Sequence, residues 1–431
     1  MNKNLYQFKL KDFVDDFGDG IHGTPNYDSD GDYYFINGNN LLNGRIALSE
    51  NTKRISKTEY DRIKRNLTEN SILVSINGSL GNLAYYCGEK VALGKSACFV
   101  NIKNCDDKEF IRYVLETKSF KNYISRVSTG STIKNLSPTQ VVEYSFLAPS
   151  KEKHSQIGGF LSLLDRKIEN NAKQIETLES IAKTIYDYWF VQFDFPNEDG
   201  KPYKSSGGKM VWNEELKREI PESWMSSNIG SFVSEQISGD WGKESVEGNY
   251  TKEVFCIRGT DLSSLLSGLL TAPTRYILEK NSGLKLKNGD VIVEISGGSP
   301  TQSTGRISYV NENALKRGNC DLIASNFCKV LRLKSCSLLY FFYCSWDDIY
   351  SRGIFYRYEG KTTGIKNLML DMFLDSYRLA IPSNEALFIK FDLIVTPIFE
   401  KIQKLNLESE KLHSIKDFLL PLLMNGQVTL Q

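Results

Sequence analysis

From Ser155 to about Phe190 the apolar residues recur in steps of four and three. Ile157, Leu161, Leu164, Ile168, Ile175, Leu178, Ala182, Ile185 and Trp189 occupy one seam, and only Asn171 places a polar group in it. Asp165, Arg166, Lys167, Glu169, Lys173, Glu176 and Glu179 take the outer positions. The pattern predicts a long helix with a narrow coiled-coil stripe, a rod on the order of 50 Å at about 1.5 Å per residue. Such a seam needs a partner, because it is not stable in water alone. Moving the register from Ile157 to Phe391 carries it onto Val395, Ile398, Ile402, Leu405, Ser409, Leu412, Lys416, Leu419 and Leu423, a second helix of the same kind. The expected pairing residues are Leu164, Ile168, Asn171, Ile175 and Leu178 against Ile398, Ile402, Leu405 and Leu412. A buried amide such as Asn171 fixes helix register at some cost in stability.

Each helix follows a stretch of shorter alternating patterns. Tyr33 to Ile36 and Ser71 to Ile76 read as strands, Phe110 to Tyr123 as a helix, and Ser137-Pro138 as an N-cap with proline at the first helical position. The second half repeats the plan. Ile257 to Leu262 corresponds to Ile36 to Leu41, Gly289 to Ser299 to the stretch from Asn70 to Ser79, and Ile365-Lys366-Asn367-Leu368 to Ile133-Lys134-Asn135-Leu136. An internal duplication of globular domain plus helix organises the chain. The expected divisions are a first domain at 1–150, a central helix at 151–194, a crossover linker at 195–220 rich in Gly, Pro, Ser and charge, a second domain at 221–383, and a C-terminal helix at 384–431. The fold class expected from this layout is α+β: two globular domains in pseudo-symmetric tandem, each followed by a long coiled-coil helix.

Composition excludes several classes. At 431 residues the chain exceeds one core, and 41% apolar with 24% charged content is that of a soluble protein. No apolar run approaches the roughly 20 residues of a membrane span, and the first residues lack a signal peptide, so the expected location is cytoplasmic. The eight cysteines contain no C-x-x-C pair and read as reduced core residues. A net charge of +1 is low for a chain holding nucleic acid by itself; if nucleic acid is the ligand, other subunits are expected to carry much of the electrostatics.

Catalytic motifs fail on inspection. Gly360-Lys361-Thr362 lacks the phosphate loop's earlier glycine, since Phe355 stands there, and Asp28 to Asp32 departs from a calcium loop, with Asn39 at the twelfth position. Asp106 with Glu116 and Lys118 lies on a helix-like stretch, and His22, His154 and His413 stand in no catalytic setting. No adenine-methylation tetrapeptide occurs. The expectation is a chain that is not an enzyme on its own.

Four segments carry a family resemblance: the loop Gly20-Ile21-His22-Gly23-Thr24-Pro25, the crossover from Gly200 to Met210, Glu219-Ile220-Pro221-Glu222-Ser223-Trp224, and the ending Leu419-Leu420-Pro421-Leu422-Leu423-Met424-Asn425-Gly426. With the duplicated layout they resemble the specificity subunit of type I restriction-modification systems over essentially the whole chain. Pro149 to His154 departs from the family's usual P-P-L-x-E-Q before the first helix. The resemblance implies two mixed α/β target-recognition domains reading the halves of a bipartite double-stranded DNA site, separated by two long antiparallel coiled-coil helices that set the gap. It also implies two methyltransferase subunits and motor-nuclease restriction subunits as partners. No cofactor is expected on this chain; S-adenosylmethionine, ATP and Mg would belong to the partners, as would base flipping. A specificity module of another DNA-modification or phage-defence complex is the alternative.

Loops with cations, amides, hydroxyls and aromatics supply contacts to phosphates and base edges. On that basis the first-domain candidates are His22, Thr24, Asn26, Tyr27, Asn77, Ser79, Arg126, Ser131, Thr132 and Lys134. Those of the second are Trp241, Lys243, Arg258, Ser299, Gln302, Arg352, Arg357, Lys361, Thr362 and Lys366. For each, a loop residue that caps a turn or faces solvent is the competing reading.

Overall fold

The structure, a computed structural model, describes residues 5–430 except 131–133, 298, 300 and 363, and the side chains of Lys361 and Thr362 also lie outside the description. The chain divides into two compact units, Met1–Ile168 with Lys411–Gln431, and Glu169–Glu410.

In the first unit an antiparallel sheet runs in the order Val14–Asp19, Ala97–Ile102, Ser71–Ser75, Leu83–Tyr85. Ser71–Ser75 is buried throughout because its alternate residues serve two cores. Ile72 and Val74 pack with Phe110, Tyr113 and Val114, while Leu73 faces Ile36, Leu41 and Leu93. A smaller mixed sheet, Arg54–Ile55, Tyr33–Ile36 and Val91–Leu93, covers the latter face. The helix read at Phe110 to Tyr123 is two helices, Cys105–Glu116 and Lys118–Val127. Thr117 breaks it: its backbone is extended, and its hydroxyl accepts from Phe120 N at 3.3 Å as a fresh N-cap. Ser137 caps the helix Pro138–Val142 in a reciprocal box with Gln140.

The second unit repeats the plan. Its antiparallel sheet is ordered Val233–Ser238, Cys328–Leu333, Asp290–Glu294, Ile307–Tyr309, and its mixed sheet Thr274–Leu278, Tyr250–Ile257, Asp321–Ala324. The stretch read as a linker is folded: Met210–Asn213 and Arg218–Pro221 form a hairpin, Tyr203 stacks on Phe195 at 4.8 Å, and Phe195 stacks on Trp224 at 5.3 Å. Its Gly and Pro residues shape turns between buried aromatic anchors.

The seam helices run His154–Tyr186 and Ala386–Met424. In the first unit Ile157 and Leu161 share a core with Leu423 and Met424. In the second, Asn171 meets Leu405, Glu408 and Ser409, and Trp189 packs on Phe391 at 5.9 Å. Within each unit, therefore, the helices run antiparallel. Ile402 and Leu405 are buried, and Leu164, Ile168, Ile175, Leu178, Ile398 and Leu412 are partly buried. The two polar seam residues of the C-terminal helix have partners: Ser409 takes a hydrogen bond from Asn171, and Lys416 bonds Asp165 at 2.8 Å.

Candidate nucleic-acid interface

One end of the four-stranded sheet gathers loops in each unit. In the first, Cys98 pairs with Asp19 and Ala97 with Ser75, so the loops after Asp19 and Ser75 and the turn before Ala97 leave from the same edge. Backbone hydrogen bonds tie them into a rim: Gly20 N to Ala97 O (3.1 Å), Ile21 N to Leu93 O (2.9 Å), Ile76 N to Ser96 O (3.0 Å) and Gly78 N to Lys134 O (3.4 Å). Gly20 is where backbones touch, since a Cβ there would lie 2.1 Å from Leu93 O.

The rim brings His22, Asn77, Ser79 and Lys134 together. His22 is exposed, with Nε2 2.7 Å from Asp19 Oδ2. Ser79, Lys134, Thr24, Asn26 and Arg126 are exposed as well. Asn26 N donates to Glu59, whose carboxyl is held at about 2 by hydrogen bonds from Arg62 and then from Asn26. Tyr27, 49% exposed, meets Phe35 edge-on at 6.0 Å. Ser131 and Thr132 lie outside the described residues.

Two rim cations escaped the sequence reading. Arg65 Nε donates to Asp19 O at 2.8 Å, and Lys95 occupies the turn whose Gly94 bridges Ile21. Neither lies in a loop with a distinctive pattern; only the fold places them beside His22.

The second unit has the same backbone frame. A Cβ on Gly239 would lie 2.3 Å from Ala324 O, as one on Gly20 would lie 2.1 Å from Leu93 O. Ser325 N donates to Ile257 O (2.8 Å) as Gly94 N does to Ile36 O (2.8 Å), and Ile295 N to Phe327 O (2.9 Å) as Ile76 N does to Ser96 O. Leu368 N donates to Ile295 O (2.8 Å) as Leu136 N does to Ile76 O (2.9 Å). Trp241 thus stands in the place of His22, Asn326 in that of Lys95, Phe327 in that of Ser96, and Lys366 in that of Lys134.

Here most of the candidate cations are already held. Arg258 grips Asp261 through Nε (2.8 Å) and Nη2 (2.9 Å), sealing a local turn. Lys366 pairs with Glu359 at 3.3 Å above the Tyr356 ring, and Lys243 with Glu247 at 3.5 Å. Trp241 is half-buried beneath the Arg275 guanidinium at 4.1 Å. Gln302 N donates to Ser299 Oγ (3.1 Å) and Lys366 Nζ to Gln302 O (3.4 Å), so these three candidates do converge. Lys361 and Thr362 belong to the strand Glu359–Thr362, paired with Ile365–Leu368. Arg352 does not join them. It ends the helix Leu339–Ser351, bonds Asp348 at 3.3 Å, and neighbours Tyr377 and Tyr186 of the central helix. Arg357 is exposed in the turn Ile354–Tyr358.

Among the described residues no group of three His, Cys, Asp or Glu side chains is placed to hold a metal ion. All eight cysteines are free, and burial pushes the thiols of Cys256 and Cys328 up to about 12.

Residues 2–180 match the family described as type I restriction modification DNA specificity domain. The type I restriction enzyme MjaIX specificity subunit of Methanocaldococcus jannaschii is 26% identical over 93% of this chain and 88% of its own length. The HindI specificity subunit of Haemophilus influenzae is 32% identical over 20% of this chain and 19% of its own. The type I restriction-modification S subunit from M. genitalium has the same fold, with a TM-score of 0.62 at 18% identity, covering 98% of this chain and 97% of that one.

Proposed function

We propose that this chain is a type I restriction-modification specificity subunit and that it reads a bipartite double-stranded DNA site, one half with each domain, with the helix pair setting the gap. One observation carries this reading. The same hydrogen-bonded rim occurs in both units, yet it presents different side chains at matching points, His22 against Trp241 and Lys95 against Asn326. A repeated frame with divergent side chains is what reading two unlike half-sites requires, because base edges are told apart by the groups that reach them.

The chain itself is non-catalytic in this reading. Its partners are two copies of a DNA-adenine methyltransferase subunit and motor-nuclease restriction subunits, which hold S-adenosylmethionine, ATP and Mg. Supporting two copies, the helices expose apolar side chains in both units: Ile181, Ile389 and Leu393 in one, Ile415 and Phe418 in the other. Ile181 and Ile415 occupy equivalent positions when Ile157 is set on Phe391. Solvent-facing apolar residues repeated in this way mark surfaces for a protein partner. No helix among the described residues is long and apolar enough to cross a membrane.

Long-read methylation mapping tests the proposal, in cells carrying the methyltransferase partner with and without this chain. A single two-part motif with a fixed gap, methylated on adenine only when the chain is present, is the expected result. Replacing either domain should then change one half of the motif. A folded complex that methylates no such motif overturns the reading.

A further inference from the structure

The two rims share a backbone frame but not a charge. Along its rim the first unit presents Arg65, Lys95 and Lys134, each exposed and each on a different loop. Among the described residues, none of these three has a carboxylate within ion-pair distance. At the matching points of the second unit stand Asn326 and the neutralised Lys366, together with Phe327, an aromatic side chain 47% exposed. The asymmetry extends to whole units: the first has 25 Lys and Arg against 20 Asp and Glu, the second 28 against 32.

Phosphate contacts and base or stacking contacts leave different traces. Each phosphate neutralised releases counterions, so affinity falls with salt, whereas an apolar side chain against a base contributes little to that slope. We propose that the first domain supplies the phosphate anchor of this chain through Arg65, Lys95 and Lys134, while the second grips its half-site through uncharged contacts led by Phe327. The inference rests on the DNA-reading function above and adds a division of labour within it. The first domain sets the salt dependence of binding; the second sets affinity with little salt dependence.

The test uses the full chain assembled with its methyltransferase partner and a duplex bearing the methylated motif. Binding is measured across a salt series. Arg65→Gln, Lys95→Asn and Lys134→Gln together should flatten the plot of log affinity against log salt by about 0.9 for each phosphate no longer neutralised, about 2 to 3 in all. Phe327→Ala should weaken binding several-fold at every salt concentration and leave the slope unchanged. Lys95→Asn alone, which imports the second unit's residue into an exposed turn, gives about one third of the flattening without risk to folding. An unchanged slope in the triple variant overturns the proposal, as does a Phe327→Ala effect that disappears at high salt. If the unsubstituted complex selects no two-part site, the specificity reading itself fails, and that result is separate from either of these.

Discussion

The two units seat the same pair of helices by different chemistry. In the first unit Asp165 is the hub: it accepts from Arg112 Nη2 (2.8 Å), Tyr113 OH (2.7 Å) and Lys416 Nζ (2.8 Å). Lys416 also reaches Glu116 at 3.2 Å, which in turn accepts from Tyr85 OH at 2.8 Å. Set Ile157 on Phe391 and the matching positions in the second unit are Phe399 for Asp165, Phe388 for His154 and, at the same shift, Trp346 for Arg112. There Phe399 lies flat on Tyr340 at 4.6 Å, Phe388 stacks with Phe190 at 5.9 Å, and Trp346 is fully buried. A duplicated backbone therefore constrains where the helices are held, not how. Directional charge pairs hold one seat and buried aromatic area holds the other, and the two should respond differently to salt and pH.

The largest effect is expected in the aromatic seat. Phe391 is fully buried among Tyr186, Trp189 and Phe190, and Phe391→Ala should cost about 3–5 kcal/mol from lost transfer energy and the cavity left behind. Hydrogen exchange along residues 386–410, read at low and high salt, should accelerate by the same factor in both. In the ionic seat Asp165→Ala strands Arg112 and Lys416 without their shared acceptor. Those groups are partly solvent-exposed, so the loss should be about 2–3 kcal/mol, below that of a fully buried pair. Exchange in residues 411–424 reports it, and high salt should shrink the difference from the unsubstituted chain. A salt-insensitive Asp165→Ala together with a salt-sensitive Phe391→Ala would erase the distinction between the seats.

Much of this architecture was legible because periodicity and duplication are written in local sequence. The seam from Ile157 to Trp189 is a 3.6-residue pattern, and Ile365-Lys366-Asn367-Leu368 repeats Ile133 to Leu136. What remained hidden depends on contacts between distant segments. Nothing near Arg65 or Lys95 marks them as neighbours of His22, because the strand order that brings loops 20–24, 94–96 and 76–79 together is not a property of any one loop. Lys366 and Glu359 look like independent hairpin charges until pairing of Gly360 with Asn367 sets them side by side. Arg258 and Asp261 are only three residues apart, yet their turn mimics Asn37 and Asn40, where the amide oxygen takes the same backbone bond. In that case the duplication itself was the available signal, pointing to a structural cap.

Asn171 offers a smaller effect. Its Nδ2 donates to Glu408 Oε2 (2.9 Å) and Ser409 Oγ (3.2 Å), while its Oδ1 is buried without a partner among the described residues. Asn171→Leu removes an unsatisfied oxygen and the only polar side chain of the central seam, so stability should change by about 1 kcal/mol, upward if the leucine packs. The informative readout is register. In the methylation assay the variant should blur or shift the gap between half-motifs, since the amide no longer specifies which turn of the C-terminal helix faces it. A more stable protein with an unchanged gap would show that Asn171 has no part in register.

His154 gives the subtlest distinction between the seats, one of shape with pH. Its ring is fully buried and lies flat on Phe110 at 3.7 Å, Nε2 meets Pro149 O at 3.0 Å, and Nδ1 has no partner among the described residues. Burial holds its pKa below the usual 6.5, although Pro149 O and Asp107 favour the proton and Lys151 opposes it. Protonation would also put a cation at the first residue of the helix His154–Tyr186, where the helix dipole repels it. Because the folded-state value is depressed, the stability that neutral His154 contributes is complete above the unfolded pKa and is lost as pH falls through the folded one. The first unit should therefore loosen in mild acid, below pH 6.5. Its counterpart Phe388 has nothing to protonate, so the aromatic seat should not respond through this position. His154→Phe imports that solution, and hydrogen exchange in residues 154–168 should then lose its acid dependence between neutral and mildly acidic conditions. If the variant keeps the full acid dependence, the sensitivity belongs to other groups of the first unit, with the carboxylates around Lys416 the next to test.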